Sequence, residues 1–100
     1  MDIQQEEHGR KGAFFIDEDG EWLAEISYIR NGPNTIVIDH TEVGESLVGK
    51  GIGPKLVEAV VKFARSNGLK VRPLCPYARG VIESRLDLQD VLAQTAAIDG

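Results

Sequence analysis

The stretch that most constrains the fold runs from Glu45 to Val71, ESLVGKGIGPKLVEAVVKFARSNGLKV. Gly49, Gly51 and Gly53 alternate in it. Leu56, Val57, Val60, Val61, Phe63 and Ala64 then recur at helical spacing, with Lys55, Glu58, Lys62 and Arg65 mostly opposite. Pro54 suits a first helical turn and Asn67-Gly68 suits an exit, so the spacing predicts an amphipathic helix from about Gly53 to Asn67. β-Branched segments flank it, Thr35–Val43 (TIVIDHTEV) before and residues 69–75 (LKVRPLC) after. Strand, glycine loop, helix, strand makes a βαβ unit, whose two strands should be parallel with a right-handed crossover. Pro73 cannot donate to a ladder, so the second strand is expected at a sheet edge, or leaving its neighbour near its C-terminal end.

Upstream, GAFFID (Gly12–Asp17) reads as a strand, followed by an Asp-Gly pair of the kind that closes hairpins. The next segment alternates, with Trp22, Ala24, Ile26 and Tyr28 on one face and Glu25 and Ser27 on the other. Trp22 and Phe63 are both expected in the core. In Thr35–Val43 the same period puts Ile36, Ile38, His40 and Glu42 on one face, so that two ionisable groups continue an apolar face. Residues 77–94 read as one or two helical pieces with a break near Leu86, Asp87 and Leu88. The expected organisation is one domain over 1–93 and a flexible tail over 94–100.

The formal charge of -5 is the wrong sign for a protein that gains affinity by displacing counterions from a phosphate backbone, so nucleic acid is not expected as a partner. Lys50, Lys55, Lys62, Arg65, Lys70 and Arg72 nevertheless cluster around the glycine segment, which suits a small anionic ligand. Cys75 is the only cysteine, so no intrachain disulfide can form and a cytoplasmic setting is expected. No run approaches the roughly 18 apolar residues needed to cross a bilayer, so no membrane partner is expected. His8 and the scattered acids show no zinc-like spacing, and no metal is expected. The chain is expected to be a monomer or weak dimer.

The glycine loop is neither a Walker A loop, which needs Gly-Lys-Ser/Thr, nor a dinucleotide fingerprint, which would require glycine at Leu56. Its physical capacity remains. Glycines permit positive φ, and the first turn of the following helix presents unpaired N–H donors and a partial positive charge. Val48, Gly49, Lys50, Gly51, Ile52, Gly53, Pro54 and Lys55 are therefore candidates for an anion cradle, with the two lysines at its rim. The bland alternative is a tight turn between strand and helix.

From His40 to Ala78 the chain resembles the small single-domain members of the GCN5-related N-acetyltransferase (GNAT) superfamily, the minimal branch that includes N-acetyltransferase domain-containing protein 1. The resemblance implies an α/β (α+β) fold: a mixed, mainly antiparallel sheet with a C-terminal βαβ unit, its last two strands splayed around acetyl-CoA. In the family's pattern Gln or Arg, two variable residues, glycine, one variable residue and glycine or alanine hold the coenzyme A diphosphate. Gly51 and Gly53 match the small positions, whereas Val48 stands where Gln or Arg is usual. The resemblance also implies that a backbone N–H near Val43 meets the thioester carbonyl, and that Cys75 of the "CPY" signature lies near the acetyl group.

Acetyl transfer to an amine requires a deprotonated amine, stabilisation of a carbonyl oxyanion, and a proton for the leaving thiolate. The resemblance implies that His40 and Glu42, on the strand entering the loop, are the candidate bases and that Tyr77 is the candidate acid; the alternatives are a structural histidine, a salt-bridging glutamate and a packing tyrosine. Cys75 either carries the acetyl group covalently or lines the pocket. Two other classes remain open: a coenzyme A-binding module with little turnover, and a cysteine hydrolase built from Cys75, His40 and Glu42. The acceptor expected for an enzyme is an amine of open identity, such as a peptide lysine or a polyamine.

Overall fold

The computed structural model describes residues 2–93. The strands are β1 (Gln4–His8), β2 (Lys11–Glu18), β3 (Glu21–Arg30), β4 (Thr35–Val43) and β5 (Lys70–Pro73). The helices are α1 (Ile52–Ser66) and α2 (Pro76–Glu83), with short 3₁₀ segments at Glu45–Leu47 and Leu86–Val91. The strands follow chain order across one sheet. The β1–β2, β2–β3 and β3–β4 pairs are antiparallel, and β4–β5 is parallel. The sheet is therefore mixed and mainly antiparallel, with the expected βαβ unit at one end. No helix among the described residues is long and apolar enough to cross a membrane.

Both expectations for Pro73 hold together. β5 is the last strand of the sheet, and its ladder with β4 ends at the Ile38–Pro73 pair. The N–H groups of Leu74 and Cys75 both donate to the Ile38 carbonyl, at 3.0 and 3.2 Å, and the chain then turns into α2 while β4 continues to Val43. Pro76 opens α2 at a position where a missing N–H costs nothing. The two strands thus part beyond Ile38.

All helical elements lie on one face of the sheet. α1 and α2 pack against each other, and Leu56, Val57, Val60, Val61, Ala64, Ala78 and Ile82 are completely buried with Ile26, Ile36, Ile38 and Val71. Each of the Leu, Ile and Val side chains among them contributes about 1.5–3 kcal/mol of transfer free energy. α1 ends at Asn67, where Gly68 takes φ +68° and the Leu69 N–H returns to the Ala64 carbonyl at 2.8 Å, the closure expected of an Asn-Gly exit. No helix covers the opposite face of the sheet among the described residues.

Two β-bulges correct the simple alternation. Ile16 pairs with Ala24 but Asp17 pairs with Trp22, so Leu23 is an extra residue and Trp22 turns to the helix-free face. There its ring stacks on Phe15, 3.9 Å between centroids, and stays 38% exposed rather than entering the core. Phe63 does pack at the core edge, with its ring 5.7 Å from that of Phe14. In β4, Ile38 pairs with Tyr28 and His40 with Ser27, leaving Asp39 extra. His40 and Glu42 therefore leave the face of Ile36 and Ile38 and stand exposed on the helix-free side, while Thr41 and Val43 take the helix side.

β1 carries no apolar pattern, since all of Gln4–His8 is exposed. Cross-strand partners hold it. The Tyr28 hydroxyl donates to Glu7 Oε2 at 2.5 Å and accepts from Gln5 at 2.8 Å. A Cβ on Gly12 would overlap the Tyr28 ring, so glycine there makes room for this bond. The C-terminal helical region does break, but at Ser84–Arg85, slightly before Leu86, because Arg85 is extended (φ -134°, ψ 112°). The expected tail lies outside the described residues apart from its approach at Leu92–Ala93, where the Ala93 N–H donates to Val71 at 2.9 Å.

Candidate active site

The site begins where β4 loses its second neighbour. The Gly44 N–H donates to the Leu23 carbonyl at 2.8 Å, and Glu25–Glu42 and Ser27–His40 continue the same ladder phase. Alternation then turns the N–H and C=O groups of Thr41 and Val43 away from β3, toward the side that β5 has left. Those backbone groups point into the gap between β4 and β5.

The glycine loop closes one end of the gap. Gly49 and Gly51 adopt φ +84° and +73°, a backbone that side chains resist, and Gly51 is the N-cap of α1. Lys50 N–H is used by the Leu47 carbonyl, but the N–H groups of Gly49, Gly51, Ile52 and Gly53 find no backbone acceptor in the described structure. Pro54 has no N–H to offer. Gly53 is glycine for a steric reason: it is helical and buried, and a Cβ there would overlap the Tyr77 hydroxyl. Of the three alternating glycines, two shape the loop and the third admits a ring.

These elements enclose a cleft of about 360 Å³ that reaches from Thr41 and Val43 through Leu47 and Val48 to Gly49, Gly51, Ile52, Gly53, Pro54 and Tyr77. Lys50 and Lys55 are exposed and neither lines the cleft; Lys50 follows Gly49 in the loop, and Lys55 lines a separate pocket with Glu58 and Lys62. Val48 is 65% exposed and offers only an apolar side chain. The wider basic cluster divides. Arg65 binds Asp90 at 2.6 Å, Lys70 reaches the Asp90 carbonyl at 3.2 Å, Lys62 lines other pockets along α1 and Arg72 stands opposite Val37, so the cations nearest the loop in sequence are Lys50 and Lys55.

Cys75 is the N-cap residue of α2, buried at 9% exposure behind Thr41 rather than in the cleft lining. Its Sγ lies 3.5 Å from Thr41 Oγ1. Burial pushes the thiol pKa up, but the Thr41 hydroxyl and the N–H groups of Ala78, Tyr77 and Thr41 outweigh it and hold the pKa below the ordinary thiol value. Thr41 was not a sequence candidate. Only the bulge at Asp39 brings it to this face, and nothing local marks that bulge.

The structure thus brings together Val43, Val48, Gly49, Gly51, Ile52, Gly53, Pro54 and Tyr77 in one cleft, while Cys75 does not line it and meets it only through Thr41. His40 and Glu42 stand apart from them on the helix-free face, where His40 Nε2 lies 3.3 Å from Glu42 Oε1. A Cys75–His40–Glu42 triad is therefore not formed: the thiol faces Thr41 and the imidazole faces Ser27 across the sheet.

Comparison with known proteins agrees with this geometry. A family model described as GCN5-related N-acetyl-transferase matches residues 13–91. The solution structure of a GCN5-like protein from Staphylococcus aureus is 41% identical, covers 92% of this chain and 87% of its own, and superposes with a TM-score of 0.70. A ribosomal-protein-alanine N-acetyltransferase from Brucella melitensis shares the fold at 20% identity and TM-score 0.62, over 76% of this chain and 62% of its own. An aminoglycoside 6'-N-acetyltransferase complexed with coenzyme A matches at 23% identity and TM-score 0.50, over 59% of this chain and 33% of its own. No curated protein sequence matched the chain. Parted strands, a glycine cradle at a helix N-terminus and a family match over most of the sequence lead to one conclusion: this chain belongs to the GCN5-related N-acetyltransferase family and is an acetyltransferase of that type.

Proposed function

We propose that the protein transfers the acetyl group of acetyl-CoA to an amine. The observation that carries this reading is the gap beyond Ile38 and Pro73, into which Thr41 and Val43 turn their backbone and at whose end four N–H groups have no backbone acceptor among the described residues. The fit to the cosubstrate is chemical. A diphosphate needs clustered N–H donors, a helix N-terminus and no competing side chain, and Gly49, Gly51, Ile52 and Gly53 supply them, with Lys50 and Lys55 adding charge. A fold-sharing relative was crystallised with coenzyme A.

Acetyl-CoA supplies an activated acyl group. The Val43 N–H, aimed into the gap, is placed to receive the negative charge that develops on the carbonyl oxygen. The amine approaches from the helix-free side, where Glu42 and His40 take its proton. Tyr77, in the wall of the cleft, returns a proton to the departing thiolate. Cys75 stands behind Thr41, buried outside the cleft lining, and transfer is direct. The lone free cysteine fits a reducing compartment, and we place the enzyme in the cytosol.

Thermal melting tests the reading. Acetyl-CoA raises the melting temperature, acetyl-pantetheine, which lacks the diphosphate, does not, and Gly51→Val abolishes the shift. No shift at millimolar acetyl-CoA overturns the assignment. Thiol release across a panel of amines then separates an enzyme from a coenzyme A-binding module, the reading that exposed Val48 favours by removing a side-chain contact to the diphosphate.

A further inference from the structure

We propose that Trp22, Glu25 and Glu42 form a pocket for a primary alkylammonium group on the helix-free face of the sheet, gathering the acceptor beside the gap. This deepens the acetyl-transfer reading and rests on it for its purpose, though not for its binding chemistry.

Both bulges are needed to build the pocket. The extra Leu23 turns Trp22 onto this face, where Phe15 covers one side of the indole at 7° between planes and the residue as a whole keeps 38% of its surface exposed. The extra Asp39 turns Glu42 onto the same face, directly opposite Glu25 in the β3–β4 register. Two carboxylates facing each other at about 5.5 Å between Cα atoms repel. Among the described residues neither has a Lys or Arg ion-pair partner, and Glu42 has only His40. With Leu23, Ala24 and Gly44 these side chains line a pocket of about 100 Å³. A Cβ on Gly44 would come to 2.8 Å from the Leu23 carbonyl, so this part of the lining is kept bare.

The chemistry of the lining selects the ligand. At about 30 Å³ per water molecule, the pocket suits an ammonium head and its nearest methylenes rather than a sugar or a ring. Two carboxylates attract a cation, and an indole face adds a cation–π contact. An anion is repelled by the same groups. The remaining charges on this face are ordered as well. Lys11 and Arg72 lie at the far end, in the row of Ile29 and Val37, and Glu6 and His8 of β1 lie together at 3.3 Å beside Ala13 and Lys11. Asp17, by contrast, stands opposite Trp22, and Asp39 is held by Ser27 at 2.7 Å. The acidic end is the one beside the gap. Val43, the neighbour of Glu42, turns its backbone into that gap, so an amine that gives up its proton to Glu42 or His40 is already next to the acyl site.

Trp22 is the only tryptophan, so its emission reports on the pocket directly. The test titrates the full chain, at low salt and without acetyl-CoA, with n-butylamine hydrochloride, spermidine, a lysine-containing peptide and, as controls, butanol and sodium butyrate. We expect saturable emission changes with the three cations and none with the controls. Glu25→Gln and the double variant Glu25→Gln/Glu42→Gln, each checked for folding by circular dichroism, weaken binding, the double variant by about tenfold. Tighter binding of the peptide than of spermidine identifies a polypeptide source of the ammonium, and the reverse identifies a polyamine. Equal responses to butyrate, unchanged binding in both folded variants, or no saturable response to any cation would overturn the pocket. An acetyl-CoA melting shift that persists in that case leaves the acetyl-transfer reading intact. Ammonium binding without such a shift leaves the pocket and removes the reaction.

Discussion

The two halves of β4 have opposite surroundings within one strand. Thr35–Ile38 is paired with β3 on one side and β5 on the other, and its Ile36 and Ile38 are fully buried. Asp39–Val43 keeps β3 but has lost β5, and it exposes Asp39, His40 and Glu42 while turning backbone groups of Thr41 and Val43 into a cleft. The first half stabilises the fold and the second is left with unmet hydrogen-bonding capacity, which a ligand can use. The switch costs one extra residue, Asp39, and one proline on the neighbouring strand, Pro73.

The largest effect should come from breaking the paired half. Ile38→Ala removes a fully buried side chain between α1 and the sheet and should cost about 3–4 kcal/mol in chemical denaturation. His40→Ala and Glu42→Ala, two and four positions further on, should each cost less than about 0.5 kcal/mol, because the bulge has put both side chains in solvent. A loss above about 2 kcal/mol for either variant would mean that the strand runs without its bulge and that both groups face the core.

A smaller effect sharpens the contrast through pH. Tyr28, opposite Ile38 in the paired half, has its pKa pushed up to about 12, chiefly by burial and then by its bond to Glu7. A folded-state value above the ordinary tyrosine value of about 10 means that the phenol's contribution is complete below pH 10 and is lost as pH rises toward 12, on the order of 2 kcal/mol. Denaturation measured between pH 9 and 12 should show this decline, and Tyr28→Phe should flatten it. A curve of the same slope in the variant would place the titration elsewhere.

The smallest effect lies in the parted half, where Cys75 shifts the opposite way from Tyr28. Its alkylation by iodoacetamide, followed against pH under native conditions, should have a midpoint below that of the unfolded chain, and Thr41→Val should move the midpoint up. An unchanged midpoint in Thr41→Val would show that the threonine hydroxyl does not hold the thiolate.

Much of this arrangement is legible where the signals are local. Pro54, Asn67 and Gly68 mark the ends of α1, its apolar spacing marks the buried face, and Pro73 marks a strand that must end or part. The cradle is legible for the same reason, since glycine content and a helix start are adjacent in sequence. The bulges are not, because whether Leu23 or Asp39 is extra depends on the register of a partner strand. One extra residue reverses every side chain beyond it, which is why Trp22, His40 and Glu42 stand on the face opposite to the one their spacing suggests and why Thr41 escapes notice. β1 is hidden differently: Gln4–His8 has no apolar face, and its place is set by distant partners, Tyr28 and Gly12.

The most direct test of the central claim is a ¹⁵N–¹H correlation spectrum of the full chain titrated with acetyl-CoA. The account predicts saturable shifts at the amides of Gly49, Gly51, Ile52 and Gly53, and at Thr41 and Val43, with Val37 and Ile29 still. Shifts that saturate elsewhere while the loop and Thr41–Val43 amides stay fixed would contradict it.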